Sequence, residues 1–202
     1  MTTIDVYADI VCPFAYIGLT RILQRRQEMG RDDVHLRIRS WPLEWVNGKP
    51  VDPHFIGEEV DEIRPQVGAD LFTGFDVEAF PASSVPGLAL TAVAYEVSDQ
   101  VGEEVAMGLR SLLFEEGRDV MDPAVLAEVA ARHGLEVSDD PEPVVRAEFE
   151  GGQGRGVVGS PHFFVGEVST FCPSLDIQRV DGHLEVKMDE AAFEALIGTI
   201  FA

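Results

Sequence analysis

The opening forty residues constrain the chain most. From Thr3 the apolar residues alternate and then run together, as Ile4, Val6, Ala8, Ile10 and Val11, which predicts a buried strand over Thr3 to Val11. Cys12-Pro13 ends it. A helical spacing follows from Phe14 through Ile17, Ile22, Leu23 and Met29, and Gly30 stands where a helix stops. Pro13 suits the first turn of that helix, where its missing N–H would have no partner in any case. Alternation returns from Val34 to Trp41, with Val34, Leu36 and Ile38 set against His35, Arg37 and Arg39. Strand, helix, strand is a βαβ unit.

The middle of the chain changes period. From about Pro53 to Phe149 the segments read as helices. Pro86 to Ser98 carries Leu88, Ala92 and Tyr95 at helical spacing, and Glu103 to Glu116 continues it with Val105, Leu109, Leu112 and Leu113. Asp122-Pro123 is an N-cap followed by proline at the first helical position, and that helix stops at Gly134. Glu142 to Glu150 forms a further short helix, while Gly68 to Ser84 reads as loop. Strand signals then return. Val157 to Val165 is followed by a turn at Gly166-Glu167 and a returning Val168 to Phe171. Leu175 to Val180 and His183 to Lys187 flank Asp181-Gly182, a hairpin signal. Asp189 to Phe201 closes as a helix with Phe193, Leu196, Ile197 and Ile200 on one face.

At 202 residues, 46% hydrophobic and 25% charged, the chain suits one compact domain, or a domain with one sizeable insertion. Fifteen Lys and Arg against 36 Asp and Glu leave a net charge of −21. Such a surface repels phosphate backbones and anionic membranes, so neither is an expected partner; solubility is the plain explanation for the charge. The start, Met1 to Ile10, has two aspartates and no Lys or Arg, unlike a secretory signal. No apolar run approaches a membrane span of roughly 18 residues. A cytoplasmic protein is expected. The two cysteines, Cys12 and Cys172, exclude a disulfide scaffold.

Cys12 stands where a buried strand meets the first turn of a helix. Unpaired N–H groups and the helix dipole there favour a thiolate, the nucleophile of disulfide exchange, so the position predicts a lowered thiol pKa and a Cys12 more reactive than Cys172. A buried structural cysteine is the alternative. In Gly159-Ser160-Pro161-His162-Phe163 a proline enters an apparent central strand, where its missing donor does little harm, and its peptide bond is expected to be cis. Gly154 to Gly159 spells G-x-G-x-x-G. It opens a strand rather than a helix, which excludes the dinucleotide fingerprint. His35, His54, His133, His162 and His183 show no metal-ligand spacing, and no metal site is expected.

Taken together, the two proline segments resemble the DsbA-like branch of the thioredoxin superfamily, closest to its cytoplasmic FrnE-like members. Asp9, Cys12, Pro13, Tyr16 and Gly18 match the family's D-x-x-C-P-x-C-Y-x-G segment, and Gly159, Pro161 and Phe163 match its G-x-P-x-F segment. The resemblance implies an α/β, thioredoxin-like fold with an inserted α-helical domain. Residues 1-50 and 151-202 would form the two parts of the thioredoxin-like domain and 51-150 the helical insertion. It implies Cys12 as nucleophile with Pro13 and Pro161 against it, and Phe14, Ser160 and His162 as residues that meet substrate. Ala15 stands where the family has its second active-site cysteine, so an internal Cys-x-x-Cys disulfide cannot form.

What remains is monothiol chemistry: a mixed disulfide with a small-molecule thiol or a protein thiol, with no bound cofactor and a low-molecular-weight thiol as co-substrate. The hairpin after Pro161 would return Cys172 near the level of that proline, which makes it a candidate resolving thiol or simply an isolated one. Two other functions fit the same architecture: a glutathione-type thiol-dependent isomerase or transferase, and a non-catalytic thioredoxin-like binding module. The helical block is expected to lie across Cys12. Phe72, Phe75 and Phe80 would either line a groove there or pin a long loop to its own helices.

Overall fold

The computed structural model describes residues 2–67, 70–173, 175–181 and 183–202. The opening unit is β1 (Thr2–Ala8), α1 (Pro13–Met29) and β2 (Val34–Ser40), with β1 and β2 parallel from Thr2 opposite Val34 to Ala8 opposite Ser40. The helical stretch holds α2 (Leu43–Asn47), α3 (Pro53–Val67), α4 (Val85–Val97), α5 (Asp99–Glu116), α6 (Pro123–Arg132) and α7 (Glu142–Gly154). The chain then returns to strands β3 (His162–Val165), β4 (Val168–Phe171), β5 (Leu175–Val180) and β6 (His183–Met188), and ends in α8 (Glu190–Ile200). The main sheet runs β2-β1-β3-β4, with β3 antiparallel to both neighbours; β5 and β6 pair in a sheet of their own. A sheet with helices, thioredoxin-like in plan, is the fold the family resemblance implied. No helix among the described residues is long and apolar enough to cross a membrane.

Alternation along β1 divides its side chains between two cores. Ile4, Val6 and Ala8 pack with Leu19 and Ile22 of α1 and Phe193, Leu196 and Ile197 of α8. Tyr7 meets Trp41 edge-on at 6.2 Å and lies near Phe149 of α7. Gly152 permits that approach, since a Cβ there would stand 2.7 Å from the Tyr7 ring and 2.8 Å from Trp41. A third core joins Ile10, Val11, Tyr16 and Ile17 to Leu88, Leu109, Leu113 and Phe114 of the helical stretch. Helix α1 therefore serves two cores at once, which explains why its first turns are apolar nearly all round.

An outer edge of a sheet leaves a row of backbone donors and acceptors unpaired. On β2 the helices supply the missing partners through side chains. The Leu36 N–H donates to Glu103 Oε2 at 3.0 Å and the Ile38 N–H to the Tyr95 hydroxyl at 2.9 Å. The Tyr95 hydroxyl in turn donates to the Leu36 carbonyl at 2.9 Å, and the Ser40 N–H donates to Glu148 Oε2 at 2.8 Å. Side chains of α4, α5 and α7 thus stand where a further strand would pair.

Several boundaries differ from the sequence expectation. Strand β1 stops at Ala8 instead of Val11, because the Asp9 N–H donates to the Ser160 hydroxyl and the chain turns. The apolar run from Pro86 to Glu116 is two helices: Ser98 takes an extended conformation and its hydroxyl accepts from the Val101 N–H, capping α5. Helix α2, too short to show a period, was not expected. Helix α7 runs on to Gly154, past the expected division at 150/151. Strand β3 begins at His162, well after Val157. Gly182 of the hairpin signal, the side chain of His183, and Gly68 of the 68–84 stretch lie outside the described residues; Val180 and His183 do pair.

Tyr95→Phe should leave the Ile38 N–H and the Leu36 carbonyl without their buried partner. A loss of about 1–3 kcal/mol is expected. It would be read as a lower urea midpoint at unchanged slope; an unchanged midpoint would show that the β2 edge does not depend on this hydroxyl.

Candidate active site

Cys12 is the N-cap of α1, with φ −85° and ψ 112°, and its carbonyl accepts the first helical bond from the Tyr16 N–H at 3.1 Å. Its Sγ donates to the Ser160 carbonyl at 3.3 Å, and the residue is only 3% exposed. The Ser160-Pro161 bond is cis, as expected for this strand entry. On the other side of the same dipeptide, the Cys172 N–H donates to the Pro161 carbonyl at 2.9 Å.

Asp9 holds this corner together. It is wholly buried. Its carboxyl accepts from the Val11 N–H at 3.3 Å, in the turn that carries Cys12, and from the Leu43 N–H at the start of α2. Its own N–H goes to the Ser160 hydroxyl at 2.9 Å, and its carbonyl accepts from Arg110 Nη2 at 3.0 Å. Arg110 comes from α5, is also wholly buried, and sends Nη1 to the Ala106 carbonyl at 2.8 Å. Its Nε has no hydrogen-bond partner among the described residues. Burial raises the Asp9 carboxyl pKa, against the pull of the Leu43 N–H. Burial also brings the Arg110 guanidinium down to about 10, against the pull of Asp9.

Cys12 opens onto a cleft of about 600 Å³. Pro13 and Phe14 line it beside Cys12, Leu43 and Val46 of α2 and Phe55, Ile56 and Glu59 of α3 form the facing wall, and Gly159, Ser160 and Phe171 complete it. Gly159 matters here because a Cβ would stand 2.5 Å from the Phe171 ring. Of the block from Pro53 to Phe149, α3 therefore does face Cys12, and α2, which precedes that block, forms the rest of the wall. Phe72, Phe75 and Phe80 pack elsewhere: Phe72 meets Tyr16 at 5.8 Å and Phe114 at 5.2 Å, and Phe75 meets Phe114 at 5.7 Å and Phe80 at 6.3 Å. They pin the loop to α1 and α5.

Of the residues singled out from sequence, Cys12, Pro13, Phe14 and Ser160 meet in the cleft, and Pro161 follows directly on Ser160. His162 is not part of the wall. It is buried, its Nδ1 accepts from the Val158 N–H at 3.2 Å, and its Nε2 lies 2.8 Å from the Ser169 hydroxyl. Its ring stacks on Phe164 at 4.8 Å. Burial, then Arg155, lowers its pKa, so the neutral ring with hydrogen on Nε2 fits both contacts. Cys172 is buried in the core that also holds Ile10, Val11 and Leu175, and does not line the cleft. The cysteines are both free thiols. No group of three or more His, Cys, Asp or Glu among the described residues could hold a metal ion.

The expected lowering of the Cys12 pKa does not occur. Removal from water pushes the thiol up to about 12; hydrogen bonding to Ser160 and the Ala15 N–H pull it the other way but are outweighed, and the negative charges of Glu59 and Asp9 add to the rise. Cys172 is likewise pushed up to about 12 by burial and by the nearby Cys12. The cysteines therefore differ in access to the cleft, not in acidity. Glu59, Leu43 and Arg110 were not foreseen. Arg110 alone left a signal, a cation on the apolar face of α5 between Leu109 and Leu113.

Asp9→Ala would leave the Val11 and Leu43 N–H groups without acceptors, and about 2 kcal/mol or more should be lost, measurable by denaturant unfolding. A second consequence concerns pH. Both thiols ionise later in the folded chain than their ordinary 9.0. The unfolded chain sheds these protons first, so stability is complete below pH 9 and falls between pH 9 and 12. Burial also raises the Tyr16 and Tyr95 hydroxyls, which ionise above pH 10 and keep part of the fall, so Cys12→Ala with Cys172→Ala should make the limb shallower, most clearly between pH 9 and 10; an equal fall in the double variant would assign it to other groups.

A family model, the DSBA-like thioredoxin domain, matches residues 3–185. No curated protein matches the chain. Among solved structures, cytosolic disulfide reductase DsbM from Pseudomonas aeruginosa superposes with TM-score 0.60 at 20% identity over 98% of this chain and 97% of that one. DsbM with glutathione gives 0.60 at 18% identity over 98% of each chain. A 2-hydroxychromene-2-carboxylate isomerase gives 0.61 at 15% identity over 84% of this chain and 88% of that one. At such identities the likeness is one of fold. The family match spans most of the chain and includes Cys12 and Pro161, and the protein belongs to the DSBA-like thioredoxin domain family.

Proposed function

We propose that the protein is a thiol-disulfide oxidoreductase that works through a single active-site cysteine, Cys12, on a low-molecular-weight disulfide or thiol held in the cleft. One observation carries this: Cys12 opens onto a cleft of about 600 Å³ at a helix N-terminus, while position 15, one helical turn on, holds a buried alanine. A volume of this order suits a small molecule. The rim is apolar and exposed at Val46, Phe55, Val158 and Phe171, which suits the hydrocarbon part of such a substrate. No bound cofactor is needed, because the co-substrate is itself the thiol. Free, buried thiols suit a reducing compartment, and the cytoplasm is the proposed location.

The chemistry starts from the protonated thiol. With a pKa about 12, roughly one Cys12 in 10⁵ is ionised at pH 7. The thiolate that forms is a strong nucleophile, since nucleophilicity rises with basicity. It attacks one sulfur of the bound disulfide, the Cys12–S–S–R bond forms, and the other half leaves as a thiolate that takes up a proton. The Ala15 N–H and the dipole of α1 favour the charged sulfur.

A second function, a glutathione-type thiol-dependent isomerase or transferase, is favoured by the same apolar rim, which would set an apolar co-substrate beside a bound thiol. In that case Cys12 is a wall of the site and is never consumed.

Oxidised glutathione is the probe, since DsbM has been solved with glutathione. After exposure, differential alkylation and peptide mapping should find the Cys12 thiol consumed in the native chain, and Cys172 unmodified in Cys12→Ser. Consumption should speed up about tenfold per pH unit between pH 7 and 9. A Cys12 thiol that survives the exposure intact rejects the oxidoreductase and favours the isomerase.

A further inference from the structure

We infer that Cys172 is the resolving cysteine of this site: the two cysteines of the chain bond to successive carbonyls of Ser160-Pro161, Cys12 through its sulfur and Cys172 through its backbone N–H. The inference rests on the proposed reaction of Cys12 and supplies the step that Ala15 removes from the usual pair.

Three features carry it. The first is register. His162 lies opposite Phe171, so the next position outward sets Cys172 against Pro161, and the 2.9 Å bond from the Cys172 N–H to the Pro161 carbonyl fixes it there. Cys12 Sγ is 3.3 Å from the carbonyl one residue earlier. The second is direction. Phe171 lines the cleft and Cys172 does not; it is buried in the core that also holds Ile10 and Val11, just before Cys12 in sequence. Displacement at a disulfide sulfur is in line, with the entering sulfur opposite the leaving one. A substrate sulfur reaches Cys12 from the cleft, so a thiol on the inner side approaches from the direction the displacement requires. The third is the backbone. Cys172 has φ 42°, which a residue with a side chain seldom adopts, and it stands before Pro173, its carbonyl accepting from the Leu175 N–H at 3.5 Å. Relaxing this bend lets the sulfur advance on Cys12. The charge of a Cys12 thiolate adds to the rise of the Cys172 pKa, which agrees with the register.

The step balances as follows. Cys12 and a low-molecular-weight disulfide R–S–S–R form Cys12–S–S–R and one RSH. Cys172, losing its proton, attacks Cys12 Sγ; the Cys12–Cys172 bond forms, the bond to R breaks, and RS⁻ takes up a proton as the second RSH. The protein dithiol is oxidised by two electrons and the small disulfide is reduced by two.

Oxidised glutathione added to the reduced full-length chain, with intact mass and non-reducing peptide mapping, tests this. The native chain should lose two hydrogens, carry no lasting adduct, and give a linked peptide pair containing Cys12 and Cys172. Cys172→Ser and Cys172→Ala should each retain one glutathione on Cys12, and Cys12→Ser should gain neither adduct nor link. A native chain that keeps glutathione on Cys12 for as long as the Cys172 variants do overturns the inference and leaves the reaction of Cys12 standing. A native chain unmodified at Cys12 overturns both. The native measurement needs no variant to fold.

Discussion

The Asp9 carboxylate is the point on which the site depends. A buried carboxyl is costly unless its oxygens are bonded, and Asp9 accepts from the Cys12 turn at Val11 and from the start of α2 at Leu43. Its backbone meets the hydroxyl of Ser160 on one side and the guanidinium of Arg110 on the other. Four segments far apart in sequence converge on one residue: the end of β1, the α2 wall, α5 and the proline loop. This convergence stops the strand at Ala8 and turns Ile10 and Val11 into the helical core, leaving Cys12 to cap α1.

The same packing decides the chemistry of the sulfur. A helix N-terminus favours a thiolate by a modest electrostatic amount, whereas full removal from water penalises it by more. Here desolvation wins, and two carboxylates reinforce it. Cys12 is therefore held as a thiol with its hydrogen on the Ser160 carbonyl, not as the exposed, acidified cysteine that its position in sequence suggested.

The helical stretch does two jobs with different faces. Tyr95, Glu103 and Glu148 supply the hydrogen bonds that the outer edge of β2 would lack. Leu43, Val46, Phe55, Ile56 and Glu59 wall the cleft. The inserted helices thus serve both fold and site, with α2, just before the insertion, completing the wall, and the sheet edge is protected without a further strand. The aromatic residues of the long loop serve neither purpose; they fasten the loop to Tyr16 and Phe114.

Sequence by itself determined what depends on local pattern. Apolar alternation marked β1 and β2, Gly30 and Asp122-Pro123 marked helix ends, and Cys12-Pro13 and Ser160-Pro161 marked the two segments that meet. These features arise from backbone sterics and periodicity, which neighbours in the chain share. Only the tertiary structure decided the rest. The walls from α2 and α3 and the placing of Arg110 behind Asp9 depend on partners many residues distant, and the turn of His162 away from the cleft on its pairing with Ser169 across the hairpin. The ionisation of Cys12 is the clearest case. Its local position lowers the pKa and its burial raises it, and burial is a sum over the whole packed molecule that no short segment contains.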